Sequence, residues 1–308
     1  MAELSQISQN KTFDGTLTKY KFTSKSLGGL EAQFNVFLPK ESKSAKVPVL
    51  YYLAGLTCNE DTGPWKGGFI RDAAAEGIAL VFPDTSPRGA GIEGEDADWD
   101  FGTGAGFYLD ATSEAYSKHY NMFDPPIFLL HPRNLTDSLC RYSYITSELP
   151  SVLSASSLPL DLSRSSIFGH SMGGHGALTI YLRSLEGKSP YLSASAFAPI
   201  ANPTLAPWGE KAFKGYLKGG LEEGKEWDAT ELLKKVKKGT DVKILVDVGL
   251  GDNFYNQKQL LPENFQQVVS TSGFTTSVNL HEGYDHSYYF ISTFAPAHVK
   301  FHAQYLKA

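Results

Sequence analysis

The run Gly169-His170-Ser171-Met172-Gly173 sets a serine between two glycines in the Gly-x-Ser-x-Gly spacing of a nucleophile elbow. The chemistry such a turn serves is covalent. A serine oxygen attacks an acyl carbon, and nearby N–H groups stabilise the oxyanion that develops. With 29 glycines and 29 serines in the chain, chance supplies about a quarter of one such match, so the spacing alone is weak. Context strengthens it: the apolar run Ser166-Ile167-Phe168 leads into the motif, and a helical pattern over 174–185 leaves it. At a sharp strand-to-helix turn a Cβ on either glycine would collide with neighbouring backbone, and the helix N-terminus favours negative charge. Ser171 is therefore the candidate nucleophile.

A resting serine is a poor nucleophile and needs a base held in one tautomer by a carboxylate. Elbows of this kind are followed in the chain by the acid and then the histidine. Of the eight histidines, His119, His131, His170 and His175 precede Ser171 or sit too near it to fold back onto it. His281 closes a strand. His298 and His302 stand one helical turn apart; an i, i+4 pair can bind a metal, but with no third ligand nearby it reads as a solvated helix face. His286, in the loop Gly283-Tyr284-Asp285-His286-Ser287, is the candidate base. For the acid, Asp252 follows the apolar strand 244–248 and is preferred. Asp247 lies inside that strand, and Asp285 is the weaker candidate because its neighbour His286 would have to turn back on it. The oxyanion donors are expected from the backbone N–H of Met172 and, in the loop after the strand 47–54, of Leu56. The run 102–106, rich in glycine, lacks the dinucleotide-binding spacing and reads as a flexible loop lining the pocket.

These residues require a scaffold that brings strand ends together. Apolar runs at 47–54, 78–83, 165–169, 192–198, 242–248 and 276–280 alternate with helical patterns at 66–75, 142–153, 172–185, 231–237, 262–272 and 295–305. Two alternating stretches, 18–24 and 31–38, suit antiparallel edge strands. The prediction is an α/β-hydrolase fold: a mostly parallel eight-stranded sheet with helices on both faces, forming a single domain over 1–308. The chain has 308 residues, 42% of them hydrophobic, which is enough for a large core. Its charges, 28 basic against 33 acidic for a net −5, form no basic run, which disfavours nucleic acid. No stretch has transmembrane length, residues 1–15 are polar, and the C-terminus carries no retrieval signal, so the expected compartment is the cytoplasm and no membrane partner is expected. Two cysteines, Cys58 and Cys140, make a disulfide framework unexpected.

Several segments together resemble the S-formylglutathione hydrolase (esterase D) family. They are Leu53-Ala54-Gly55-Leu56-Thr57-Cys58, Trp99-Asp100-Phe101-Gly102-Thr103-Gly104-Ala105-Gly106-Phe107-Tyr108, the elbow, Asn202-Pro203 with Pro207-Trp208-Gly209, and Glu282-Gly283-Tyr284-Asp285-His286-Ser287-Tyr288-Tyr289-Phe290. The resemblance implies a triad of Ser171, Asp252 and His286 and oxyanion donors at Leu56 and Met172. It also implies hydrolysis of the small thioester S-formylglutathione to formate and glutathione in formaldehyde detoxification, by a cytosolic homodimer with no cofactor or metal. Bulky residues in the matching segments, Phe107, Trp208 and Tyr288, are expected to wall a small acyl pocket, with Cys58 beside the oxyanion loop. The alternatives are a broad short-chain carboxylesterase and an acyltransferase on the same fold; a binding module that has lost catalysis fits poorly, since every triad member is present. One departure is plain: residues 123–141 form an atypical insert. In the family, a segment like Asn121-Met122 runs directly into one like Tyr142-Ser143-Tyr144-Ile145-Thr146. Codons for Met122-Phe123 contain GT, and codons for Cys140-Arg141 can contain AG, so excision between them would remove 19 codons in frame. The insert is thus expected to be retained intron sequence or else a surface excursion.

Overall fold

Among the described residues, nine strands make one sheet in the order β1-β2-β3-β5-β4-β6-β7-β8-β9. They are β1 (Ser5–Thr12), β2 (Gly15–Thr23), β3 (Glu31–Leu38), β4 (Val47–Leu53), β5 (Ala79–Pro83), β6 (Leu160–His170), β7 (Tyr191–Phe197), β8 (Ile244–Gly249) and β9 (Ser277–His281). The structure is a computed structural model and describes residues 4–122, 144–185, 191–274 and 276–308. The insert 123–141 lies outside them, and so does the expectation attached to it. Pairing is antiparallel from β1 through β2 and β3 to β5, and parallel from β5 through β4 to β9. β4 and β5 are buried at every residue, the pattern of central strands covered on both faces.

The helices are α1 (Thr62–Lys66), α2 (Phe69–Glu76), α3 (Leu149–Ala155), α4 (Met172–Ser184), α5 (Pro207–Tyr216), α6 (Gly220–Gly224), α7 (Ala229–Lys235), α8 (Asn253–Asn256), α9 (Pro262–Ser272) and α10 (Tyr288–Leu306). Strand alternation decides which face each covers. On β7, Ser193 and Ser195 point to α10, where they meet His302 and His298, whereas the Cβ of Ala196 lies against Gly174 of α4. Helices α4 and α10 therefore sandwich the sheet. Each carries a run of buried side chains against it.

All eight expected strands are present, and β1 is the ninth. Its sequence, Ser-Gln-Ile-Ser-Gln-Asn-Lys-Thr, is almost wholly exposed, so it has no apolar face to betray it. Two further departures concern α10. It begins at Tyr288, well before 295, because Ser287 caps it and Pro296 is accommodated inside it. Its His298 and His302 are fully buried, which corrects the solvated-face reading. Burial of the two rings is possible because serines on β7 and Asp247 on β8 supply their hydrogen bonds.

Candidate active site

Strand β6 runs straight into the elbow and α4 leaves it. Ser171, between them, takes φ 56° and ψ −118°, a strained backbone for a residue with a Cβ. The flanking glycines allow the turn by close approach. A Cβ on Gly169 would lie 2.2 Å from the Gly173 carbonyl oxygen, and one on Gly173 would lie 2.0 Å from that of Leu53. The Ser171 N–H donates to the Phe197 carbonyl at 2.9 Å, pinning the elbow to the end of β7.

The acid and base come from the next two loops along the sheet. Asp252, fully buried, follows β8 and caps α8: its Oδ1 accepts from the N–H groups of Phe254 at 2.7 Å and Tyr255 at 3.3 Å. Its Oδ2 accepts from Nδ1 of His286, in the β9–α10 loop, at 2.5 Å. That bond puts the proton on Nδ1 and leaves Nε2 free to take one. The two loops are stitched by backbone, with Leu250 N–H on the His281 carbonyl at 2.9 Å and Gly251 N–H on the Tyr284 carbonyl at 2.8 Å. The other carboxylates are engaged elsewhere. Asp285 accepts from the Ser287 N–H and hydroxyl, and those bonds hold its carboxyl below the usual range. Asp247 binds His298 and Asn279 deeper in β8.

Ser171 and His286 line one cavity of about 150 Å³, and among the described residues no direct hydrogen bond joins them. Leu56 lines it too, in a turn over 55–58 closed by Cys58 N–H on the Gly55 carbonyl at 3.3 Å, with Thr57 at φ 64°. Gly55 abuts the elbow: a Cβ there would meet that of Ser171 at 3.2 Å. The N–H groups of Leu56 and Met172 have no partner among the described residues, so both are available to an oxyanion. The loop at 102–106 does not line the cavity; its Gly104 carbonyl accepts from the Thr57 N–H at 2.9 Å and braces that turn.

Of the expected wall residues, Trp208 and Cys58 line the cavity. Phe107 and Tyr288 do not. Phe107 is fully buried against His175, and its N–H donates to the Met172 sulfur at 3.4 Å, so it backs the elbow. The Tyr288 hydroxyl lies 3.4 Å from that of Tyr52, behind His170. Sequence reasoning missed Trp99, Phe254 and His170 as lining. Phe254 was findable, two residues past Asp252; its ring meets that of His286 edge-on at 4.8 Å. The His170 ring lies 4.4 Å from His286, with neither nitrogen hydrogen-bonded among the described residues. Burial first, and then the neighbouring His286, hold it well below the usual histidine range, so it stays neutral.

An elbow serine at the carboxyl end of a mostly parallel sheet, over a cavity it shares with a carboxylate-paired histidine, defines a serine hydrolase of the α/β-hydrolase fold. The family model "Esterase" matches residues 24–125 and 132–301. S-formylglutathione hydrolases of Rattus norvegicus and Arabidopsis thaliana are 45% and 46% identical to this chain; each alignment covers 99% of it, and 100% and 98% of the relative. A solved S-formylglutathione hydrolase from Agrobacterium tumefaciens superposes with a TM-score of 0.84 at 39% identity, over 98% of this chain and 99% of that one. The chain belongs to the S-formylglutathione hydrolase family.

Proposed function

We propose that this protein hydrolyses S-formylglutathione to formate and glutathione, with Ser171 as nucleophile, His286 as base and Asp252 as its orienting acid. Ser171 Oγ attacks the formyl carbon as its proton passes to His286 Nε2. The Leu56 and Met172 N–H groups hold the oxyanion. Collapse expels the glutathione thiolate, which takes the proton from His286 and leaves a formyl ester on Ser171. Water, deprotonated by His286, attacks that ester, and formate leaves as Ser171 regains its proton. No group outside the chain is needed. The observation that carries the reading is the 2.5 Å His286–Asp252 bond at the rim of the cavity that Ser171 enters. The cavity is walled by Trp99, Trp208 and Phe254, which suits a short acyl group, while the charged glutathione portion would lie in the open, since burying it unpaired is costly. We further propose a cytoplasmic homodimer of single-domain subunits; among the described residues no helix is long and apolar enough to cross a membrane.

The test is formate release from S-formylglutathione, with and without an added alcohol. Wild type is expected to release formate at a rate the alcohol does not divert, and Ser171→Ala, which removes one oxygen atom, to lose turnover with its circular dichroism intact. Near-wild-type activity in purified Ser171→Ala rejects the nucleophile. Accumulation of formate ester instead of formate would favour the acyltransferase reading.

A further inference from the structure

Asp247 is used by no step above, yet it is buried, ionisable and tied to two other elements at once. It sits in β8, five residues before Asp252. Its Oδ1 accepts from Asn279 Nδ2 on β9 at 2.7 Å, and its Oδ2 accepts from His298 Nε2 on α10 at 3.0 Å. Nε2 of His281, the last residue of β9, lies 3.2 Å from Oδ1. That nitrogen is out of line for a hydrogen bond, so the contact is electrostatic. The segment bearing His286 leaves β9 at His281 and enters α10 at Tyr288. Asp247 thus grips the element on each side of the base, from the strand that leads to the acid.

We infer that Asp247 is a positioning residue for the reaction, holding the His286 segment at both ends against the strand that presents Asp252.

The chain of bonds behind it gives the grip direction. His298 Nδ1 meets Ser195 Oγ at 2.8 Å, Ser195 Oγ meets His302 Nε2 at 2.8 Å, His302 Nδ1 meets Ser193 Oγ at 2.8 Å, and Ser193 Oγ meets Ser166 Oγ at 2.9 Å. With both imidazoles neutral and protonated on Nε2, a tautomer assigned from the network, every link has one donor and one acceptor, ending on the Asp247 carboxylate. Burial, the largest influence, keeps both rings below the usual histidine range and so neutral. The same burial would raise Asp247, but the bonds from His298 and Asn279 and the close approach of His281 outweigh it and leave the carboxyl low. Asp247, His298 and Ser195 have the composition of a triad. Ser195 is fully buried, however, so no substrate reaches it. What the chain does is tie α10 to β6, β7 and β8, while Asp247 alone also reaches β9.

This inference rests on Asp252 and His286 being acid and base, so Asp252→Asn is measured in parallel. The decisive variant is Asp247→Asn, of equal volume, read by kcat, KM and the far-downfield proton resonance of His286 Nδ1–H against Asp252. Expected is a fall in kcat of about 10- to 100-fold at unchanged KM, as for a sub-ångström misplacement of the base, with the resonance moved upfield and exchanging faster with water. Ser195→Ala breaks the same buried chain one link further from the loop. It is expected to lower Tm while leaving kcat and the resonance as in wild type. Wild-type kcat and resonance in Asp247→Asn, or equal losses in Ser195→Ala, overturn the inference. If Asp247→Asn does not fold, Asn279→Ala decides: it releases only the β9 side, so a smaller loss in the same direction supports the inference and no change overturns it. An active Asp252→Asn would instead reject the acid assignment itself.

Discussion

Bulk around the proposed nucleophile sets the acyl specificity at the scale of single residues. Trp208 lines the cavity, wedged against Trp99 at 5.6 Å and Phe254 at 4.7 Å between ring centroids, so it has little room to swing aside. Acyl chains longer than acetyl must displace packed rings, and overpacking of that kind costs about 1–3 kcal/mol, or roughly 5- to 150-fold in rate when it falls on the transition state. Wild type is therefore expected to lose kcat/KM steeply from acetyl to butyryl esters, and Trp208→Leu to recover the butyryl rate more than the acetyl rate. Octanoyl esters hydrolysed by wild type as fast as acetyl esters would show an open pocket and remove the size argument. The sequence reveals bulk but not the side of the backbone on which it falls. That is why Trp208, Phe107 and Tyr288 all read alike as walls, although Phe107, at φ 50°, turns its ring to His175 and only Trp208 of the three lines the cavity. Ser171, His286 and Asp252 could be proposed from the sequence because each follows a strand, where chain order narrows the choice. Asp247 looked like a rival acid from the same spacing, and only its partners distinguish it.

Between elements, the site depends on how closely the acid loop and the base loop approach. Gly249 ends β8, and a Cβ there would lie 2.3 Å from the Tyr284 carbonyl oxygen and 2.9 Å from that of Asp285. Both obstacles are backbone, so Gly249→Ala must push the base loop outward and stretch the His286–Asp252 bond. The expected outcome is a fall in kcat of about 100-fold with the substrate KM little changed, together with a destabilisation of about 1–3 kcal/mol by urea denaturation. Wild-type kcat in this variant would mean that the loops tolerate separation and that their backbone stitching does not set the geometry. Elements were legible in proportion to the apolar residues they bury. β4 and β5 announce themselves as unbroken apolar runs, and α4 as the helix following the elbow. β1, polar apart from the exposed Ile7, pairs among the described residues with β2 alone, and a pairing partner leaves no mark on a strand's own sequence. α10 hides its first two turns for a different reason: a proline at 296 suits a helix's first turn, so the pattern is read from 295, although Pro296 stands inside the helix at a cost of about 3 kcal/mol that packing must offset.

Across the whole molecule, buried histidines tie stability to pH. Burial is the largest influence on His170, His175, His298 and His302, and all four are depressed, His175 to about 4. In the unfolded chain each titrates near its ordinary value of about 6.5. A histidine depressed by folding stays neutral in the native state while its unfolded counterpart takes up a proton, so below about 6.5 the unfolded state binds more protons. Stability is then full above that pH and falls as the pH drops toward the folded values, by about 1.4 kcal/mol per unit for each histidine fully in this window. Asp228 and Glu60, which burial raises, work in the opposite sense and blunt the acid end of the slope. Urea midpoints are expected to be level from pH 8 to 7 and to fall markedly between pH 6.5 and 5, and His175→Gln, a neutral replacement, to make that fall shallower by about one proton. A midpoint unchanged down to pH 5 would mean that these rings find protons or water in the native state, and the sealed chain from Asp247 to Ser166 would then have to be open to solvent.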